Sequence, residues 1–207
     1  MPVNPRHVTI ANLGLGNLHS VAQAFTRAGV SATISADPDV LRAAERLVFP
    51  GQGAFRECAE VLAGEVGPAL RDFIATGRPY LGICLGMQAL FDTSEESEGR
   101  GLGVFPGHVV RFASDMRDET TGERLKVPHM GWNQVDTASP MLDPGGWYYF
   151  VHSYHVVPED PALVAATSEY GSRFCAAVAR DNVFACQFHP EKSHHAGARL
   201  IERFLSQ

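Results

Sequence analysis

Cys84 stands in Gly82-Ile83-Cys84-Leu85-Gly86, a GxCxG run between a strand-like and a helix-like segment. Strand, turn and helix around a central nucleophile form the elbow arrangement of hydrolases, with sulfur in place of the serine hydroxyl. The flanking glycines permit a sharp turn, and the helix aims the positive end of its dipole at the sulfur, favouring the thiolate. The Leu85 amide is then placed to donate to a developing oxyanion. The plain alternative is a core cysteine beside two ordinary turn glycines. A thiol nucleophile also needs a base and a group to orient that base. Phe188-His189-Pro190-Glu191-Lys192 supplies both: His189 ends the last strand-like run, and Pro190 turns the chain so that Glu191 can fold back on the imidazole. With nine histidines in the chain, a surface His-Pro turn is the competing reading.

For these groups to meet, their segments must be strands ending at one edge of a sheet, where open α/β sheets place their sites. Residues 8–13 form an apolar run that stops at Gly14-Leu15-Gly16-Asn17. Val21, Ala24, Phe25 and Ala28 follow at the i, i+3, i+4, i+7 spacing of an amphipathic helix, with Gly29 as its stop. Residues 47–49 read as a short buried strand ended by Pro50-Gly51-Gln52-Gly53, and 66–76 as a helix with Pro68 in its first turn. Residues 80–83 are again strand-like, and 85–91 predict a helix. The second half reads as strands at 104–112, 133–136, 147–154, 163–167, 176–179 and 184–188, before a final helix over about 195–205. Alternation followed by a run of strands predicts an α/β fold, its central, mostly parallel sheet flanked by helices and carrying an antiparallel extension. Residues 94–100 read as a polar, acidic loop and 114–124 as a mobile one.

Composition sets the frame. The 207 residues suffice for one domain with its own core, spanning 1–207. A 45% hydrophobic and 19% charged composition excludes a disordered or coiled-coil chain. Seventeen basic against twenty-three acidic residues, with no basic stripe, argue against nucleic acid or an anionic membrane as partner. No apolar run approaches the roughly 20 residues of a membrane span, and residues 1–9 lack a signal peptide's apolar stretch. A cytoplasmic location is expected. Cysteines 58, 175 and 186, with no CxxC pair, read as small buried hydrophobes in a reducing compartment.

Gly-Ile-Cys-Leu-Gly-Met-Gln (82–88) together with His-Pro-Glu-Lys-Ser (189–193) resembles the class I, or triad, glutamine amidotransferases. The resemblance covers essentially the whole chain. It implies a flavodoxin-like α/β domain, with Cys84 as nucleophile, His189 as general base and then acid, and Glu191 as imidazole orienter. It implies thioester formation from glutamine, release of ammonia, and hydrolysis to glutamate. Asn12 to Leu18, Pro50-Gly51-Gln52-Gly53-Ala54-Phe55, Val127 to Asn133 and Tyr148 to His155 resemble, in this order, the branch serving imidazole glycerol phosphate synthases. That implies backbone oxyanion donors in Gly51, Gln52, Gly53 and Leu85. It also implies that Gln88, Glu96 and the His152-Ser153-Tyr154 segment hold the α-amino and α-carboxylate groups of L-glutamine. Gln52 departs from the branch, where an aliphatic residue is common, which bears on the loop's flip equilibrium rather than on a backbone donor.

The same resemblance implies a partner, a (β/α)8-barrel cyclase subunit in a heterodimer. Ammonia would pass through that barrel to a phosphorylated ribulosyl nucleotide, giving imidazole glycerol phosphate and an aminoimidazole carboxamide ribotide. Asn17, His129, Met130, Trp132, Asn133, Tyr149 and Lys192 are the implied contacts; their ordinary readings are a helix cap, a turn, a core aromatic and a solvated lysine. No cofactor or metal is implied. His189, His194 and His195, with His152 or His155, lack any HExxH-type spacing, and neighbouring helix positions point about 100° apart. Gly14-x-Gly16 fails the GxGxxG pattern at His19. A thiol peptidase of related fold would not require His-Pro-Glu or Gln88, and a non-catalytic module would not keep all three triad members. The pyridoxal phosphate synthase glutaminase is the nearest rival within the family, and residues 128–133 and the Pro50 loop argue against it.

Overall fold

A computed structural model describes residues 7–14, 16–118 and 120–207. Leu15 of the first glycine loop, Glu119 of the 114–124 loop and residues 1–6 lie outside the described residues. Strands and helices alternate at first: β1 (His7–Ala11), α1 (Leu18–Arg27), β2 (Ser31–Ser35), α2 (Pro38–Ala43), β3 (Leu47–Gly51), α3 (Phe55–Leu62), α4 (Val66–Ala75), β4 (Tyr80–Cys84) and α5 (Leu85–Gln88). A run of strands follows: β5 (Thr93–Ser94), β6 (Gly107–Arg111), β7 (His129–Gln134), β8 (Asp136–Thr137), β9 (Trp147–His152), β10 (Tyr154–Pro158), β11 (Val164–Glu169), β12 (Arg173–Arg180) and β13 (Val183–Cys186). The last helix is α6 (His194–Leu205).

The main sheet has the order β2-β1-β3-β4-β13-β12-β11-β8. Pairing is parallel from β2 to β13 and antiparallel from β13 to β8. This is the flavodoxin-like arrangement of a mostly parallel centre with an antiparallel extension. β3, β4 and β13 are buried along their whole length, as central strands covered on both faces must be. Alternate side chains then feed two cores. Leu47 and Phe49 join Leu41, Phe55, Leu62, Leu70 and Phe73 on one face, while Val48 joins Val21, Phe25, Leu200 and Phe204 on the other. Phe25 of α1 and Phe204 of α6 meet edge to face at 6.2 Å and close that second layer. Two smaller sheets, β10-β6-β5 and the β7-β9 ribbon, sit beside the main one. Among the described residues no helix is long and apolar enough to cross a membrane.

Four local readings change. The strand read over 133–136 breaks at Val135 into the end of β7 and the start of β8, which lie in different sheets. The helix after Cys84 ends at Gln88 rather than Phe91, because the amides of Leu102, Val104 and Phe105 take the Ala89 and Leu90 carbonyls and tie that turn into the following loop. The single strand read over 147–154 breaks at Ser153 into β9 and β10, which pair with β7 and β6 in different sheets. β2, α2 and α3 were not expected. β2 is a polar edge strand, and α2 is six residues capped by the Asp37 side chain on Asp39.

Candidate active site

β4 delivers Cys84 to the carboxyl edge of the sheet in a left-handed conformation, φ 54° and ψ −107°. For a residue with a Cβ this is strained backbone, retained because the surroundings leave no other path. Gly82 and Gly86 do not share the positive φ; their role is space. A Cβ on Gly86 would collide with the Phe49 carbonyl, and one on Gly82 would lie 2.7 Å from the Gly86 oxygen and 2.9 Å from Ala185 Cβ. The glycines therefore let β4, α5 and β3 close up, and the elbow's strain falls on Cys84 itself. With α5 only four residues long, the helix dipole is smaller than a longer helix would supply.

β13 runs parallel to β4 with Cys186 beside Ile83, so the segment leaving β13 emerges next to the elbow. His189 follows, held by its own N–H on the Tyr149 carbonyl at 2.9 Å and by its carbonyl accepting from Ser193 Oγ at 2.6 Å. Its Nδ1 meets Glu191 Oε1 at 2.8 Å, and the two side chains are 2% and 3% exposed. A buried carboxylate on Nδ1 fixes the tautomer and turns Nε2 to the chemistry. Among the described residues Nε2 has no nitrogen or oxygen partner, and the neighbouring acid–base group is Cys84. Burial pulls the His189 pKa down, but the Cys84 charge and hydrogen bond and the Glu191 carboxylate outweigh it, and it is raised to about 10. Burial pushes the other three thiols up, Cys58 and Cys175 to about 12 and Cys186 well above its usual value, which leaves them inert.

A cavity of about 430 Å³ opens on Cys84, within the roughly 300–1,000 Å³ range of small-molecule sites. Gln52, Gly53, Leu85, Gln88, Glu96, His152, Ser153 and Tyr154 all line it. Gly51 stands one residue behind, in register with Cys84. Glu96 reaches the site from the acidic loop and anchors there by accepting the Phe55 N–H at 2.8 Å. Gln88 Nε2 donates to the Tyr154 carbonyl and to Gln187 Oε1, both at 3.1 Å. Both its hydrogens are used, so the amide offers a ligand only its oxygen, an acceptor. Both ring nitrogens of His152 are engaged, Nδ1 donating to the Tyr154 carbonyl at 2.8 Å and Nε2 facing His129 Nδ1 at 3.3 Å, so neither is free for a ligand. A larger cleft, about 980 Å³ beside α3, is lined by neither cysteine nor histidine.

The residues expected to face a partner divide. Strand alternation in β7 turns Met130 and Trp132 outward, 63% and 42% exposed, and His129 inward, 3% exposed. His129 is thus no surface contact: it stacks on Tyr170 and Phe150, and burial lowers its pKa to about 4. Asn133 also turns in, donating to the Glu169 carbonyl at 2.7 Å. Asn17 caps α1 through the Ser20 N–H. Tyr149 packs its edge on Trp132, with Lys192 Nζ 5.7 Å from its ring, and Lys192 lines the Cys84 cavity as well. Pro128, Val151 and Gln187 belong to the site and were missed. Gln187 had a signal: it is the one polar residue within the apolar run 184–188, two positions before His189 and so on the same strand face.

The family profile of glutamine amidotransferase class-I matches residues 9–207. The chain belongs to the class I glutamine amidotransferases. Among class I amidotransferase relatives, the imidazole glycerol phosphate synthase subunit HisH of Syntrophotalea carbinolica is 53% identical over 205 residues, 95% of this chain and 98% of that one. The HisH subunit of Methylococcus capsulatus is 49% identical, over 96% of this chain and 95% of that one. Among solved structures, a glutamine amidotransferase superposes with a TM-score of 0.73 at 20% identity, covering 96% of this chain and 97% of that one. PurLQS from Thermotoga maritima superposes with a TM-score of 0.75 at 16% identity, covering 99% and 98%. These two likenesses establish the class I amidotransferase fold.

Proposed function

We propose that the chain, as one domain, is the glutaminase subunit of an imidazole glycerol phosphate synthase. It hydrolyses L-glutamine to glutamate and ammonia through a thioester on Cys84. The observation that carries this reading is the buried His189–Glu191 pair beside a cysteine on a strained elbow, at a cavity lined by Gln88 and Glu96. Gln88 Oε1 and the Glu96 carboxylate receive the substrate's α-ammonium, and the 152–154 segment receives its α-carboxylate.

Cys84 passes its proton to His189, and the sulfur attacks the carboxamide carbon. The carbonyl electron pair moves onto oxygen, where amides of Leu85 and of the Gly51-Gln52-Gly53 loop receive it. Collapse breaks the C–N bond, and imidazolium His189 gives its proton to the departing nitrogen, releasing ammonia. In the free site Cys84 and Glu191 raise His189 to about 10, so the proton passed from Cys84 stays on the imidazole until this step. Water then attacks the thioester while neutral His189 takes its proton, and glutamate leaves with the sulfur restored. Glu191 keeps the imidazole aligned throughout.

The exposed Met130 and Trp132, on the ribbon whose Val151 lines the cavity, form the docking face for a (β/α)8-barrel cyclase, which uses the ammonia in the cytoplasm. The test is glutamate release by this chain alone and with the barrel subunit and its nucleotide ligand. Slow turnover alone and fast turnover in the liganded complex are expected. Equal, fast turnover in both points to a stand-alone glutaminase and overturns the synthase reading.

A further inference from the structure

Gln187 is fully buried between Cys186 and Phe188, with its backbone N–H fixed on the Ala176 carbonyl at 2.8 Å. A buried amide costs free energy unless all its groups are used. Here the use is directional. The Tyr154 carbonyl can only accept, so the Gln88 group 3.1 Å away must be its nitrogen. That nitrogen also lies 3.1 Å from the Gln187 side chain, which must therefore turn its oxygen toward Gln88. The Gln187 nitrogen is left facing Cys84 Sγ at 3.5 Å. One backbone carbonyl thus orients two amides in series, and the last presents an N–H to sulfur.

We infer that Gln187 is a positioning residue for the nucleophile, its amide holding a donor on the Cys84 sulfur and an acceptor on Gln88. A donor on sulfur favours the ionised form over the neutral thiol and restrains its rotamer. The acceptor on Gln88 frees that residue's own oxygen for substrate, so one side chain sets both the attacking atom and a ligand contact. Its consequence for turnover rests on the glutaminase reading; its effect on the sulfur does not.

The decisive variant is Gln187→Met, of similar length without the donor. The measurement is the pH dependence of Cys84 alkylation by iodoacetamide in the full chain, beside glutamine turnover in complex with the barrel subunit. The other titratable groups around the sulfur are His189, Glu191 and Cys186, with Glu96 and Lys192 at the cavity, and all stay in place. The alkylation midpoint is expected to rise by about one pH unit, with kcat falling about tenfold. A folded Gln187→Met with an unmoved midpoint overturns the inference, whatever its turnover. A shifted midpoint in a chain that never hydrolyses glutamine sinks the glutaminase reading and leaves the inference standing. If Gln187→Met does not fold, the side-chain amide resonances of Gln187 in the unaltered chain decide: they must move with pH at the alkylation midpoint and stay still in Cys84→Ser. Resonances indifferent to Cys84 overturn the inference.

Discussion

Gly51 and Cys84 are register partners at the carboxyl ends of β3 and β4. The loop that follows one and the elbow that contains the other therefore start at the same level of the sheet. A Cβ on Gly51 would lie 2.7 Å from Leu85 Cβ, and a Cβ on Gly16 would lie 3.0 Å from the Gln52 nitrogen. The Gly51–Gln52 segment is caught between the first turn of α5 and the first glycine loop. Three segments far apart in sequence meet here because parallel strands bring their ends to one edge.

This closeness separates the glycines by what a methyl group would meet. Gly86→Ala drives a Cβ into the Phe49 backbone carbonyl, which has nowhere to go within a buried central strand. The expected loss is about 3 kcal/mol or more. Gly14, unlike Gly86, has a positive φ, 75°, and open space around it. Gly14→Ala should cost only about 1 kcal/mol, from backbone strain alone. Urea unfolding of both variants checks the contrast, and similar midpoints would contradict it.

Cys84 offers a test of strain and chemistry together. Cys84→Ala removes the sulfur and should lower glutamine hydrolysis at least about a thousandfold, leaving the fold and barrel-subunit binding intact. Because φ is 54°, Cys84→Gly should be about 1 kcal/mol more stable than Cys84→Ala, inverting the usual order of these residues in regular structure. Cys84→Ala also withdraws the charge and hydrogen bond that hold His189 up to about 10. Its imidazole titration, followed by NMR, should then fall. Full glutaminase activity in Cys84→Ala would remove the sulfur from the mechanism.

His129, His152 and His155 form a second group of histidines, packed around Phe112 and Phe174. Burial lowers all three, His129 to about 4 and His152 well below its usual value. The unfolded chain takes up these protons near pH 6.5, whereas the folded chain resists until His129 titrates. The contribution of these three is therefore full above pH 6.5 and falls between 6.5 and 4, by up to about 3 kcal/mol for His129 alone. His189 has the opposite sign, its contribution complete below pH 6.5 and fading as pH rises through about 10. Urea midpoints at pH 7.5, 6 and 4.5 measure the acid limb. His129→Phe should flatten it, and an unchanged slope would show that His129 does not carry it.

The elbow, the His-Pro-Glu turn and the parallel centre of the sheet were legible because each is local: glycine spacing, a proline and apolar runs. The parts that escaped depend on tertiary partners. Helix continuation past Gln88 is prevented by the amides of Leu102, Val104 and Phe105. The break at Ser153 reflects two strands joining different sheets. α3, by contrast, is encoded locally, since Phe55, Cys58, Ala59 and Leu62 have helical spacing. The spacing of Gln187 from His189 marks its face, but its place on Cys84 is set by three hydrogen bonds joining α5, β10, β4 and the segment after β13.

The β7-β9 ribbon makes a final, two-sided test. Its inner face sends His129, Tyr148, Phe150 and His152 into the core, and its outer face carries Met130, Trp132, Tyr149 and Val151. Trp132 lies flat on His194, ring centroids 5.0 Å apart and 5° from parallel, so its exposed face is held rigid. A rigid exposed aromatic beside the cavity has the character of an interface anchor. Trp132→Ala should weaken barrel-subunit binding by about 2 kcal/mol or more while leaving the chain's own unfolding midpoint nearly unchanged. His129→Ala should do the reverse, lowering the unfolding free energy by about 3 kcal/mol through a cavity among Tyr170, Phe150 and Phe174 and weakening binding only as the fold loosens. Calorimetric titration with the barrel subunit, read beside urea unfolding, separates the two. If Trp132→Ala binds with unchanged affinity, the partner does not sit on this face.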